Sequence, residues 1–449
     1  MDRTGDMASA MTLAFGIPFA GLLLTIALLP WLAPNLWHRH YGKAAACWAI
    51  ISLVADAVRH GAGATMTTII ALAVHEYLPF ILLLGALFVI AGGVRLTGTL
   101  RAAPAVNVAL LGVGTAMASV IGTTGASMVM LRPLIRANRR RHRTSHVYVF
   151  FILLVANVGG GLSPLGDPPL FLGYLLGVPF FWPARHLGAS TLTLAAILLL
   201  LFLILDTLAY RRAGRREPEL IEEIEKLGLE GKLNLVFLAA VIAVILLRTE
   251  WPASFGLTLF GVDWKFADIV ADALLFGLGA ASFGTTRRAI RRANEFSWAP
   301  MVEVAILFAA IFITLAPVTE MIAAGRQGPL APVLARLFLD GKPDPAAFYW
   351  ATGALSALLD NAPTYLVFFG FAGNDPALLS GPLAPVLAAI STGAVFFGGM
   401  SYVGNAPNFM VKAIVESHGI KMPSFFGYIG WATVCFLPWL VVIDWLFLR

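Results

Sequence analysis

Residues 160–172 read Gly160-Gly161-Leu162-Ser163-Pro164-Leu165-Gly166-Asp167-Pro168-Pro169-Leu170-Phe171-Leu172. Residues 398–410 read Gly398-Gly399-Met400-Ser401-Tyr402-Val403-Gly404-Asn405-Ala406-Pro407-Asn408-Phe409-Met410. Laid on one another at a spacing of 238, six of the thirteen positions are identical: three glycines, the serine, a proline and the phenylalanine. The same spacing puts Asp206 on Asp444, and a spacing of 237 puts Ser119-Val120-Ile121-Gly122-Thr123-Thr124 on Ser356-Ala357-Leu358-Leu359-Asp360-Asn361. Near-agreement at three separate places marks an internal duplication.

The surrounding sequence says what solvent the repeats occupy. Of 449 residues, 59% are hydrophobic and 12% charged, and mean hydropathy is +0.82. A soluble domain carries about twice that share of charge, which excludes a soluble enzyme, a disordered chain and a nucleic-acid binder. Apolar segments fall at about 11–32, 44–58, 66–94, 105–135, 146–182 and 187–210, then 232–247, 267–284, 301–323, 346–372, 383–416 and 425–448. At about 20 residues per crossing this is a polytopic all-α membrane protein in a lipid bilayer. The first segment reads as a retained helix, since Met1 to Asp6 lacks a basic leader. The net charge of +6 fits basic cytoplasmic loops. Cys47 and Cys435, the only cysteines, support neither a disulfide framework nor a thiolate metal site.

Residues 211–231 carry Arg211, Arg212, Arg215 and Arg216 followed by Glu217, Glu219, Glu222, Glu223 and Glu225. They read as a cytoplasmic amphipathic linker between a first repeat, 1–210, and a second, 232–449. Arg95, Arg101, Arg136, Arg139, Arg140, Arg141 and Arg143 flank segment 105–135 on both sides, so it enters from the cytoplasm and returns. Segment 346–372 is flanked by Asp340, Asp344 and Asp375 and should enter from outside. Each half then crosses an odd number of times, and the second lies upside down. The expected fold is two inverted-topology repeats, each with a re-entrant hairpin (105–135, 346–372) and a broken helix (146–182, 383–416).

Broken helices survive at membrane depth only inside protein or beside a polar cavity. The candidate site is therefore the two hairpin tips, Thr123-Thr124-Gly125 and Asp360-Asn361-Ala362-Pro363-Thr364, and the two breaks around Asp167 and Asn405. By the spacing of 237, Asp360 falls opposite Thr123; by that of 238, Asp167 falls opposite Asn405. Each half supplies one carboxylate and the other answers with a neutral oxygen. An intramembrane carboxylate is costly to ionise alone, so a proton and a hard cation compete for it. Asp167 as a turn-forming helix cap is the plainer alternative; its reappearance as Asn405 inside a break favours a site. His75 and Glu76 are a relay or a structural pair. Glu320, Asp56 and Asp272 belong near segment ends, and Asp206 and Asp444 are expected to cap equivalent helices. Arg132 is expected to snorkel to the interface; pointing inward, it would favour an anion.

These motifs resemble those of the ion transporter superfamily, which includes NhaD-type sodium/proton antiporters, arsenite-efflux permeases, sodium-coupled di- and tricarboxylate carriers and a citrate-transporter branch. Ser163-Pro164-Leu165-Gly166-Asp167 resembles the antiporters' Ser-Pro-Ile-Gly-Asp stretch, and Asp360-Asn361-Ala362-Pro363 their Asp-Asn-x-Pro tip. The chain departs from them at Pro168-Pro169, where they carry hydroxyl residues, and at Gly404-Asn405-Ala406-Pro407-Asn408, where they carry small serines. The resemblance implies a homodimer, an elevator-type movement and a bacterial inner membrane.

The leading expectation is sodium/proton antiport, with Asp167 and Asp360 binding either ion. Asn361, Asn405, Ser163, Ser401, Thr123 and Thr124 would complete the sodium cage. The alternative is a sodium- or proton-coupled citrate or dicarboxylate carrier, with Thr364 and Asn408 holding carboxylate groups. No cofactor beyond the transported sodium and proton is expected, and eight scattered histidines give no enzyme active site.

Overall fold

The computed structural model describes residues 13–100, 103–141, 143–212, 226–248 and 256–449. Among these the protein is nearly all helix, with three two-stranded antiparallel sheets. Seven described helices are long and apolar enough to cross a membrane. The pair Phe425–Cys435 and Leu437–Phe447, bent by 42°, is apolar enough to make an eighth if taken as one span.

Proline and glycine set the boundaries. Pro34, Pro104, Pro168 and Pro345 each open a helix, at the position where a missing N–H costs nothing. The first hairpin is Pro104–Ile121 and Thr123–Asn138, broken at Gly122, whose φ of 79° suits glycine. The second is Pro345–Leu358 and Asn361–Phe371. Its 14-residue first arm reaches about 21 Å, too short for a hydrocarbon core of about 30 Å.

The elements after each hairpin recur in the same order, and the last half-helices begin 238 residues apart. Ser145–Leu154 leads to a 3-10 turn at Val158–Leu162 and then Pro168–Leu175; Ala384–Phe397 leads to Gly398–Met400 and then Ala406–Ser417. Backbone angles repeat too. Asp167 has φ −144° and ψ 144°, and Asn405 −152° and 136°. Glycine is required where each break folds on itself: a Cβ on Gly166 would lie 2.2 Å from the Gly160 carbonyl oxygen, and one on Gly404 2.7 Å from that of Gly398.

The tips differ by one residue. The first arms end at Ile121 and Leu358, 237 apart, whereas the second arms begin at Thr123 and Asn361, 238 apart. Thr123 therefore corresponds to Asn361, not to Asp360 as the sequence spacing suggested. Asp360 sits where the first half has Gly122, with one extra residue before it.

Long-range bonds place the hairpin ends. Asn107 of the first arm donates to Asn138 at the end of the second (3.0 Å) and to Asp206 (2.9 Å), near the C-terminal end of Trp182–Arg212. At the other end of that 31-residue helix, Trp182 Nε1 donates to the Ser380 carbonyl (2.9 Å), just past the second hairpin. The two hairpins thus have their ends at opposite ends of a helix about 46 Å long.

Three expectations change. Residues 213–225 of the linker lie outside the described residues, but Gly228–Glu230 is a strand paired with Arg95–Thr97, not helix. Asp206 caps no helix: buried, it accepts from Arg141, His146 and Asn107. Asp444 likewise pairs with Arg449 and Trp350.

Candidate functional site

Asp167 occupies the N-cap position of Pro168–Leu175 without capping it. Its carboxylate instead accepts one donor from each of the other three interrupted elements. Thr123 Oγ1 of the first tip donates to Oδ1 at 3.0 Å, Asn405 Nδ2 of the second break to Oδ1 at 3.0 Å, and Asn361 Nδ2 of the second tip to Oδ2. All four residues are buried. An ionised carboxylate has about four lone-pair directions; three are taken. Because the Asn361 amide turns its nitrogen to Asp167, its Oδ1 is left buried with no partner, an acceptor oxygen beside an acid. A buried acceptor left unmatched costs about 1–3 kcal/mol, which a cation or a proton would relieve.

Asp360 behaves differently. It is half-buried and caps its own helix, accepting from the Ala362 N–H at 3.0 Å. Both acids line a cavity of about 200 Å³ between the hairpin tips and breaks and the helices packed against them, with Thr123, Thr124 and Asn405. The facing wall is mostly apolar (Leu83, Leu84, Leu87, Leu307, Phe308), with Trp37, His38 and Glu303 toward one end. Trp37 lies in the first turn of Pro34–His60, and His38 and Glu303 lie one turn into Pro34–His60 and Ala299–Ala323. Asn294, just before the latter helix, bonds the carbonyls of Gly92 and Val94, next to the strand that pairs with the linker. The cavity thus extends from the tips toward the linker end. Among the described residues, no Lys or Arg lines it.

The remaining candidates serve the backbone. Ser163 donates to the Ser119 carbonyl and accepts from Leu165 N. Ser401 accepts from Val403 N and Gly404 N at 3.2 and 3.1 Å, and Thr364 donates back to the Asp360 carbonyl. Asn408 spans the second break, donating to the carbonyls of Gly398 and Ser401. None of these four lines the cavity. Arg132 also turns away, to Glu295 at 3.2 Å and the Met128 carbonyl. His75 and Glu76 lie on a π-helical turn, Ala73–Tyr77, off the cavity. The grouping Asp56, His60 and Glu320 is at the far end of Pro34–His60 from Trp37 and is engaged by Arg59 and Thr65.

Two residues emerge only from the fold. Asn157 accepts from Asn405 Nδ2 (3.3 Å) and donates to Asn408 Oδ1 (2.8 Å), fixing which way the Asn405 amide faces. Its sequence signal is a lone amide ending the apolar run 147–156. Glu303 is an acid just inside segment 301–323 with no basic residue within one helical turn.

No curated relative matches the sequence. A family model described as "Putative citrate transport" matches residues 8–448, nearly the whole chain. With at least seven helices fit to span a bilayer, the chain is an integral, multi-pass membrane protein and belongs to this citrate-transport family of transporters.

Proposed function

We propose that this transporter exchanges sodium for protons, with Asp167 and Asp360 as the carboxylates that hold either ion. The observation that carries the reading is the bonding at Asp167: three neutral donors, one open lone pair, and the unpartnered Asn361 Oδ1 beside it. Sodium takes oxygen ligands, and a proton on the Asp167 carboxylate would neutralise the same charge. The two ions therefore compete, which is what exchange requires. Lining by three carboxylates and no Lys or Arg supports a cation as the solute. In this reading the halves are inverted repeats, and hairpins and breaks shift against the helices lining the facing wall. The working unit is a homodimer in a bacterial inner membrane. Sodium added to purified protein in weak buffer should release protons, read with a pH dye, and Asp167→Asn should release none. Equal release from both proteins would remove Asp167 from the exchange.

The second reading is a sodium- or proton-coupled citrate or dicarboxylate carrier, favoured by the family description. There the acids would hold the coupling ion, and Thr124 with the N-terminal turns of Thr123–Asn138 and Ala406–Ser417 would meet carboxylate groups. Citrate counterflow in proteoliposomes, saturable and dependent on sodium or pH, would put this reading first.

A further inference from the structure

Of the described acids outside the cavity, eight have a basic partner (Asp56, Asp206, Glu230, Asp268, Glu295, Glu320, Glu416 and Asp444), and Glu76, Asp263, Asp272, Asp340, Asp344 and Asp375 have none. The cavity's three, Asp167, Asp360 and Glu303, have none. Asp167 and Asp360 belong to the site already described. Glu303 is on the opposite wall, one turn into Ala299–Ala323, at the linker end of the cavity.

Its side chain is held, not loose. Trp37 Nε1 donates to Glu303 Oε1 at 3.0 Å across from the first turn of Pro34–His60. The indole is buried, so one carboxylate oxygen is anchored. Oε2 has no partner and is not sealed off, being absent from the buried unpartnered atoms among the described residues. The repeat adds an independent point: 238 residues earlier stands Thr65, neutral, its hydroxyl given to Asp56 at 2.7 Å. As with Asp167 against Asn405, an acid appears where the other half has a neutral group.

We propose that Glu303, positioned by Trp37, is an entry site for the transported cation at the mouth of the cavity. The inference rests on the exchange reading above. A fixed negative charge between low-dielectric walls concentrates cations locally and speeds their capture. It also repels anions, so it sets the sign of solute admitted. Asp167 and Asp360 then bind the ion that Glu303 has collected.

The test is sodium-driven proton movement in proteoliposomes, with KM and kcat separated. Glu303→Gln keeps an acceptor for Trp37 and removes the charge. It should raise the KM for sodium by about 3–10-fold at low ionic strength, with a far smaller change in kcat. The difference from wild type should shrink when choline chloride shortens the screening length. Glu303→Asp, which retains the charge, should lie closer to wild type, and Trp37→Phe should raise KM by less than Glu303→Gln. Wild-type KM in Glu303→Gln at every ionic strength overturns the proposal while leaving exchange standing. So does a fall in kcat at unchanged KM. Wild-type protein that moves no protons on sodium addition overturns the exchange reading and this inference with it.

Discussion

The two breaks share a backbone and differ in chemistry. Asp167 and Asn405 have φ within 8° of each other, and each stands just before a half-helix. Yet Asp167 collects three donors from other elements, whereas Asn405 gives its amide to Asp167, Asn157 and the Ala156 carbonyl. One half presents an acceptor-only group and the other supplies donors to it. The matching tips and breaks thus bring four elements to one place; the positions at which they differ provide the charge. The tips repeat the lesson, since Asp360 stands where the first tip has Gly122.

The comparison is broken most completely by Asp167→Asn. Removing one member of a buried ionic interaction costs about 3–5 kcal/mol, so sodium affinity should fall by about 100-fold or more, measured by sodium-dependent proton release. Moving the acid across the repeat, as Asp167→Asn with Asn405→Asp, should not restore it. A carboxylate at 405 would face two acceptors, Ala156 O and Asn157 Oδ1, that now receive the Asn405 amide. Recovery of exchange in that double variant would show that the halves are interchangeable and the asymmetry incidental.

Asp360→Asn should also depress exchange by about tenfold or more, with little loss of stability. Asn caps a helix as well as Asp does, so the Ala362 bond survives and only charge is lost. A fall in thermal midpoint matching the fall in activity would mark Asp360 as structural. Gly166→Ala sharpens the backbone side of the comparison. Its methyl would meet the Gly160 carbonyl, and such overpacking costs about 1–3 kcal/mol, visible as a lower midpoint in detergent. The smallest effect is expected from Ser401→Ala. It loses the acceptor for two turn N–H groups, about 0.5–1.5 kcal/mol, with sodium affinity unchanged; a tenfold weaker affinity would return Ser401 to the cage.

Much of the fold was legible because the signals are coarse and physical. The helical class, the apolar spans and the places where helices are interrupted follow from hydropathy, glycine and proline. The site was legible to the level of element and acid: Thr123, Asn361 and Asn405 do meet Asp167. What sequence could not separate was one oxygen-bearing residue from another inside a break. Ser163, Ser401 and Asn408 are the same residue types as ion ligands, but the exposed backbone of a broken helix needs them first. Asn157 was missed because its counterpart is Val395, so the repeat does not flag it. The tip register failed because a one-residue insertion cannot be placed by matching a single serine.

The most direct test is lumenal pH in proteoliposomes holding a pH dye, after a sodium jump outside and, separately, after a citrate jump at constant sodium. This readout registers electroneutral as well as electrogenic exchange. Lumenal alkalinisation is expected on sodium alone, as protons leave in exchange, and none in Asp167→Asn. A wild-type protein silent to sodium but moving protons with citrate would contradict that exchange and make the acids a coupling site for a carboxylate carrier.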